Sequence, residues 1–171
     1  MAHQYTPPDK GDLLLLAGAL ARVAHSGQVR SGGEPYIAHA SRVSASAFES
    51  DARGNYTGAI LGYLHDVVED TVVTLRGLRE LFPQEIVDGV ALLTRGEDEL
   101  YTHFIHRLIR FGSDDVLTVK LADLADNLRD LDQSSFSLEK RAVLRERWTV
   151  TLEKILAEQD RRGTDILPHA A

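Results

Sequence analysis

One stretch constrains this chain more than any other: an apolar run, Ala59 to Leu64, passes directly into His65, Asp66, Glu69 and Asp70. If the stretch is helical, residues four apart share a face. His65 then stands one turn from Glu69, and Asp66 one turn from Asp70. The run ahead of them reads as buried, and ionisable groups carried into a buried setting need partners or a metal ion. The fold must enclose this segment and bring complementary groups to its end. The His-Asp pair can face a metal while the Glu-Asp pair leans over whatever the metal holds.

The rest of the chain supplies helices to enclose it. Asp9 can cap a first helix, with Asp12 in its first turn and Leu13, Leu16, Leu20 and Val23 on one stripe, reaching His25. Residues 26–34 read as loop by their Gly and Ser content. Pro35 suits the first turn of a second helix through Ile37, His39, Val43 and Ala47. The third helix carries the central motif. Thr74 starts a short helix ending near Phe82, and Pro83 opens another with Ile86, Val87, Val90 and Leu93 as its apolar face. After a break at 96–99, Tyr101, Phe104, Ile105, Leu108 and Ile109 keep a helical period, with Gly112 as a C-terminal cap. Ser113 can cap the helix that holds Lys120, Asp123 and Asn127, and Ser137 begins a long last helix that stops before Gly163. No useful strand alternation or internal repeat is present. The expectation is an all-α, single-domain bundle of seven or eight helices over 9–162, with tails at 1–8 and 163–171.

Composition narrows the partners. The 171 residues are 43% hydrophobic, enough for a full core. A formal charge of −7 argues against a general nucleic-acid or anionic-membrane surface. The chain has no Cys, which excludes disulfides, thiolate zinc sites and cysteine nucleophiles and fits a reducing compartment. The run Leu13 to Ala21 is too short to span a bilayer and is read as a core helix, so a cytoplasmic location is expected. There is no Gly-rich phosphate loop ending in Lys-Ser/Thr and no Gly-x-Ser-x-Gly elbow.

Candidate ligands lie on three expected helices: His39, His65 with Asp66, and Asp123. Bundle cores build metal sites from side chains on facing helices, but spacing alone does not bring three distant helices together. Four motifs add to the reading: His25-Ser-Gly-Gln28-Val-Arg30, Gly33-Glu34-Pro35-Tyr36-Ile-Ala-His39, His65-Asp66-Val-Val-Glu69-Asp70-Thr71 and Lys120-Leu-Ala-Asp123. Their order and spacing resemble the hydrolase domain of the RelA/SpoT alarmone enzymes, within the HD phosphohydrolase superfamily, over roughly residues 10–160. The resemblance implies an HD-type bundle and a stand-alone small alarmone hydrolase, without synthetase or regulatory domains. It implies metal ligation by His39, His65, Asp66 and Asp123, with manganese as the family metal. Two imidazoles and two carboxylates are also compatible with iron or zinc. Glu69 and Asp70 match the acidic pair that positions or activates water. Arg30, Tyr36 and Asn127 match positions on the nucleotide side, and Lys120 is the remaining cation of the motifs. His25 is expected to hydrogen-bond behind the ligands. The implied reaction is attack at the 3′-diphosphate of guanosine 3′,5′-bis(diphosphate), releasing pyrophosphate and GDP.

Three positions depart from the family pattern. Leu124 stands where an Arg is common, Asp126 where a His is common, and Ser31 where a second basic residue often follows Arg30. Each removes or opposes positive charge where an anionic nucleotide is expected. That leaves open another phosphorylated nucleotide, such as NADPH or a nucleoside phosphate. A module that binds the alarmone without turnover ranks below both, because Glu69 and Asp70 are present. His103 and His106, three apart, read as a polar helix face, and His3 and His169 fall in the expected tails.

Overall fold

Side-chain caps set most helix starts. Asp9 closes a capping box with Asp12 ahead of α1 (Lys10–Ala24). Pro35 stands just before α2 (Tyr36–Glu49) rather than in its first turn. The Asn55 side chain accepts from Gly58 N to start α3 (Tyr56–Leu64), and Thr74 does the same for Gly77 N at α5 (Leu75–Arg79). Between these lies the four-residue α4 (Val67–Asp70). Pro83 precedes α6 (Gln84–Leu93), and α7 (Tyr101–Phe111) follows the expected break. Ser113 caps α8 (Asp114–Asp130), and Ser137 caps α9 (Leu138–Arg162). A short 3₁₀ turn, Leu131–Gln133, joins α8 to α9.

This architecture comes from a computed structural model that describes residues 8–163. Most of the expected tails lies outside the described residues, as do His3 and His169. Among the described residues there is no strand, only one isolated bridge between Val29 and Pro35. No helix among them is long and apolar enough to cross a membrane.

α3 occupies the centre and packs against α1, α2, α6 and α8. Ile60, Leu61 and Leu64 are each almost fully enclosed. Burial of side chains this size contributes about 1.5–3 kcal/mol apiece. Close approach of α2 depends on Gly62, where a Cβ would lie 2.6 Å from the Ser44 backbone.

Two local expectations change. The inner stripe of α1 is Leu13, Ala17 and Ala21, whereas Leu16 and Val23 are exposed. Small residues let α1 approach α3, so counting large apolar side chains picked the wrong edge of the helix. The central segment is also not one helix. α3 stops at Leu64, and the chain turns through His65 and Asp66, the latter at φ −108°, before α4 begins. That break raises the helix count among the described residues to nine and aims His65 and Asp66 at the same point.

Candidate metal centre

His39 comes from the inner face of α2, His65 from the end of α3, and Asp123 from the middle of α8. All three are buried, and one ligand atom from each lies within 4.8 Å of the others. His39 Nε2 is 3.3 Å from Asp123 Oδ1, and His65 Nε2 is 3.7 Å from the same oxygen. Asp66 adjoins the group, its Oδ2 2.8 Å from His65 Nε2 and 3.9 Å from His39 Nε2.

Hydrogen bonds at the far side of each ring settle which nitrogen is free. His65 Nδ1 is 2.8 Å from the Gly62 carbonyl oxygen, which can only accept. His39 Nδ1 is 2.7 Å from the Asp126 carboxylate, which also accepts. Both Nδ1 atoms therefore carry hydrogen, so in the neutral rings both Nε2 lone pairs point to the centre. His65 Nε2 is buried without a hydrogen-bond partner. Two imidazole Nε2 atoms facing carboxylate oxygens fit a divalent cation.

The electrostatics agree. Burial lowers the His65 pKa, but the Asp66 and Asp123 carboxylates overcome this and raise it to about 9. Burial likewise opposes, and the Asp123 and Asp126 hydrogen bonds win, at His39, whose pKa is raised. Burial would raise Asp66, but His65 holds it at about 2. Asp123 is held well below the usual carboxylate range against its burial, chiefly by Lys120 and His39. The centre draws positive charge, and a divalent ion answers the same field as a proton.

The other expected site residues surround this point. The Tyr36 hydroxyl donates to Asp66 and lies 3.4 Å from Asp70 Oδ2. Lys120 Nζ donates to Asp123 Oδ2 at 2.8 Å, and Asn127 Nδ2 donates to Asp123 Oδ1 at 2.6 Å. Glu69 stands at the mouth, accepting from the Arg95 backbone N–H at 2.8 Å. Burial, followed by the charges of Asp66 and Asp70, raises the Glu69 pKa, and burial with the Asp66 charge raises that of Asp70. His25 is buried behind Tyr36, stacked on its ring at 4.6 Å.

Two departures from the family pattern look different in three dimensions. Leu124 is turned into the core and faces no ligand. Asp126 is enclosed among cationic side chains and His39. It is 6% exposed and takes hydrogen bonds from His39, Arg30, Arg42 and Arg129. It thus orients a candidate ligand, as carboxylate partners of metal-binding histidines do. Arg30 is engaged by Asp126, Asp130 and the Asn127 side-chain oxygen. Arg42 also forks onto Glu34 with two bonds of 2.7 Å.

Sequence reasoning missed Arg42, Asp130 and the structural use of Asp126. A signal existed: Arg42 lies three after His39, and 123, 126, 127 and 130 follow a helical face. Beside this cage opens a cleft of about 490 Å³, lined by Arg30, Ser31, Tyr36, Asn127, Phe136 and Trp148 among others. A cleft of about 620 Å³ between α7 and α9 includes His106 but no expected site residue. His103 and His106 are exposed, in keeping with a polar face.

No family model matches the chain. The bifunctional (p)ppGpp synthase/hydrolase SpoT of Escherichia coli (strain K12) is 35% identical over 140 residues, covering 77% of this chain and 20% of that protein. The guanosine-3′,5′-bis(diphosphate) 3′-pyrophosphohydrolase of Haemophilus influenzae is 37% identical over 121 residues, covering 66% of this chain and 18% of that protein. The chain therefore spans about a fifth of the length of these curated relatives. The solved structure of a metazoan ortholog of SpoT that hydrolyses ppGpp superposes with a TM-score of 0.70 at 23% identity, covering 94% of this chain and 99% of that one.

Proposed function

The chain belongs to the HD-type hydrolase domains of the RelA/SpoT kind, and from that premise we propose that it cleaves guanosine 3′,5′-bis(diphosphate) to GDP and pyrophosphate. The observation that carries this reading is the convergence of the Nε2 atoms of His39 and His65 on Asp66 and Asp123, beside the short helix that carries Glu69 and Asp70.

In this reading His39, His65, Asp66 and Asp123 hold one divalent ion, manganese by family resemblance. When bound, the ion supplies Lewis-acid polarisation of a phosphoryl oxygen and acidifies water. The protein's own groups do the rest. Asp126 keeps His39 in the tautomer that presents Nε2, and Lys120 with Asn127 orients Asp123. Glu69 and Asp70 receive the proton of the attacking water, a role that suits carboxylates whose pKa values are raised. The water oxygen bonds to the phosphorus at the 3′ position, and the bond from that phosphorus to the 3′ oxygen breaks. The 3′ oxygen takes up a proton, and pyrophosphate leaves.

A broader nucleotide range is the second reading. Arg30 is held by Asp126 and Asp130, Ser31 carries no charge, and Glu34 adds a carboxylate to the cleft wall. Fewer free cations mean weaker selection for a highly phosphorylated ligand, at about tenfold per lost charge-assisted contact.

The test is turnover of guanosine and adenosine tetraphosphates, NADPH and 3′-phosphorylated nucleosides by purified protein with Mn²⁺, with elemental analysis of wild type and Asp123→Ala. The expected result is pyrophosphate from the guanosine tetraphosphate and loss of both metal and activity in the variant. Good turnover of another nucleotide with neither tetraphosphate cleaved would replace the first reading by the second. Equal metal content and activity in both proteins would overturn the ligand assignment.

A further inference from the structure

His25 and Gln28 touch none of the candidate ligands, yet both are tied to the segment that carries the acidic pair. Gln28 Nε2 donates to the Asp70 carbonyl oxygen at 2.8 Å. That oxygen can only accept, so the NH₂ side of the amide must face it. Gln28 Oε1 then faces His25, 2.7 Å from Nδ1. An amide oxygen also only accepts, so His25 Nδ1 carries the hydrogen. The flat face of the same ring stacks on Tyr36, with centroids 4.6 Å apart and planes at 23°. Tyr36 in turn donates to Asp66 and reaches toward Asp70.

One buried imidazole at the C-terminal end of α1 therefore braces Asp70 by two routes. Gln28 holds its main chain, and Tyr36 approaches its carboxylate. The two routes meet in this ring, 45 residues earlier in the chain, and in the hydrogen bond from the Tyr36 backbone N–H to the Gln28 carbonyl at 3.0 Å. Asp70 ends α4, a helix of four residues that cannot hold its own last turn rigidly.

We infer that His25 and Gln28 are positioning residues that keep the Asp70 carboxylate in its working place through the Gln28–Asp70 and His25–Tyr36 contacts. The inference rests on the reading of the site as a phosphohydrolase. Neither residue touches the reacting atoms. Losing the brace lets Asp70 move, which slows turnover while metal and substrate still bind.

The test uses the full chain with Mn²⁺ and guanosine 3′,5′-bis(diphosphate). Gln28→Glu can still accept from His25 Nδ1 but cannot donate to Asp70. His25→Phe keeps a ring to stack on Tyr36 but loses the N–H. The expected result is a loss of about tenfold in kcat for each, with KM and metal content within about twofold of wild type. The double variant should be no slower than the worse single one, because both cut a single chain of contacts. Unchanged kcat in both, or losses that multiply in the double variant, overturn the inference. Nitrogen-15 spectra separate this from the substrate question. Wild-type His25 should carry hydrogen on Nδ1, and Gln28→Leu should lose that signature. A ring with Nδ1 free of hydrogen in wild type would overturn the brace even if turnover is normal. If wild type cleaves no nucleotide, the functional reading fails, and the inferred role in turnover falls with it.

Discussion

Two acidic groups flank the candidate metal centre, and they are treated in opposite ways. On the α2–α8 side, Asp126, Asp130 and Glu34 are interleaved with Arg30, Arg42 and Arg129. On the α4 side, Glu69 and Asp70 have one backbone N–H, a tyrosine hydroxyl and a partly exposed arginine near them. Burial alone would raise the pKa of Asp126, but hydrogen bonds from His39 and Arg42 hold it well below the usual range. Burial raises Glu69 and Asp70, and few cations oppose it. The first group is neutralised and serves as a frame. The second keeps a carboxylate that can take a proton, the property a general base needs.

The largest effect should come from breaking the frame. Asp126→Ala leaves Arg30 and Arg42 without their buried partner and His39 without its acceptor, so unfolding should become easier by about 3–5 kcal/mol. Denaturant titration at neutral pH checks this. The pH dependence has a definite sign. Asp126 is depressed in the folded state, so its contribution is full above the ordinary value of 3.8 and is lost as pH falls through its lower folded value. The gap between wild type and variant should therefore stay constant near neutrality and close only below about pH 3.8. A gap that closes at higher pH would show that Asp126 is not the anchor.

The next effect sharpens the other side. Glu69→Gln should keep the metal and lose about a hundredfold or more in turnover, about 2.7 kcal/mol in barrier. In wild type the acid limb of the rate profile should lie above the ordinary glutamate value of 4.5, because the raised group must be ionised to accept a proton. Normal turnover and an unshifted limb in the variant would make Glu69 structural and leave Asp70 as the base.

The smallest effect tests where the frame ends. Arg129 donates to Asp126, but its side chain is 56% exposed. Arg129→Ala should change stability by less than about 1 kcal/mol, as exposed ion pairs do. A loss comparable with that of Asp126→Ala would mean the cage is a single cooperative unit reaching the surface.

Some of this design was legible residue by residue. Asp9, Ser113 and Ser137 announce helix starts because capping is a local interaction with a fixed spacing. The family motifs name His39, His65, Asp66 and Asp123, and these side chains do meet. The break at His65-Asp66 was not legible. Nothing in that stretch is a helix breaker, and the turn is held by a ring donating to the Gly62 carbonyl in a crowded core. Asp126 was noticed as a departure from a pattern, but the side chains it would engage were not legible. Charge in sequence carries no information about which cations arrive from 84 or 96 residues away.

The sequence by itself determined the helical class, most helix boundaries and the chemical types available at the site. These follow from periodicity, caps and short motifs, all of which act within a turn or two of chain. Only the tertiary structure decided that Arg30 is held in a carboxylate cage, that Asp126 orients His39, and that α1 buries its small residues. Each of these depends on which faces of distant helices meet, and that is set by packing of the whole core around α3.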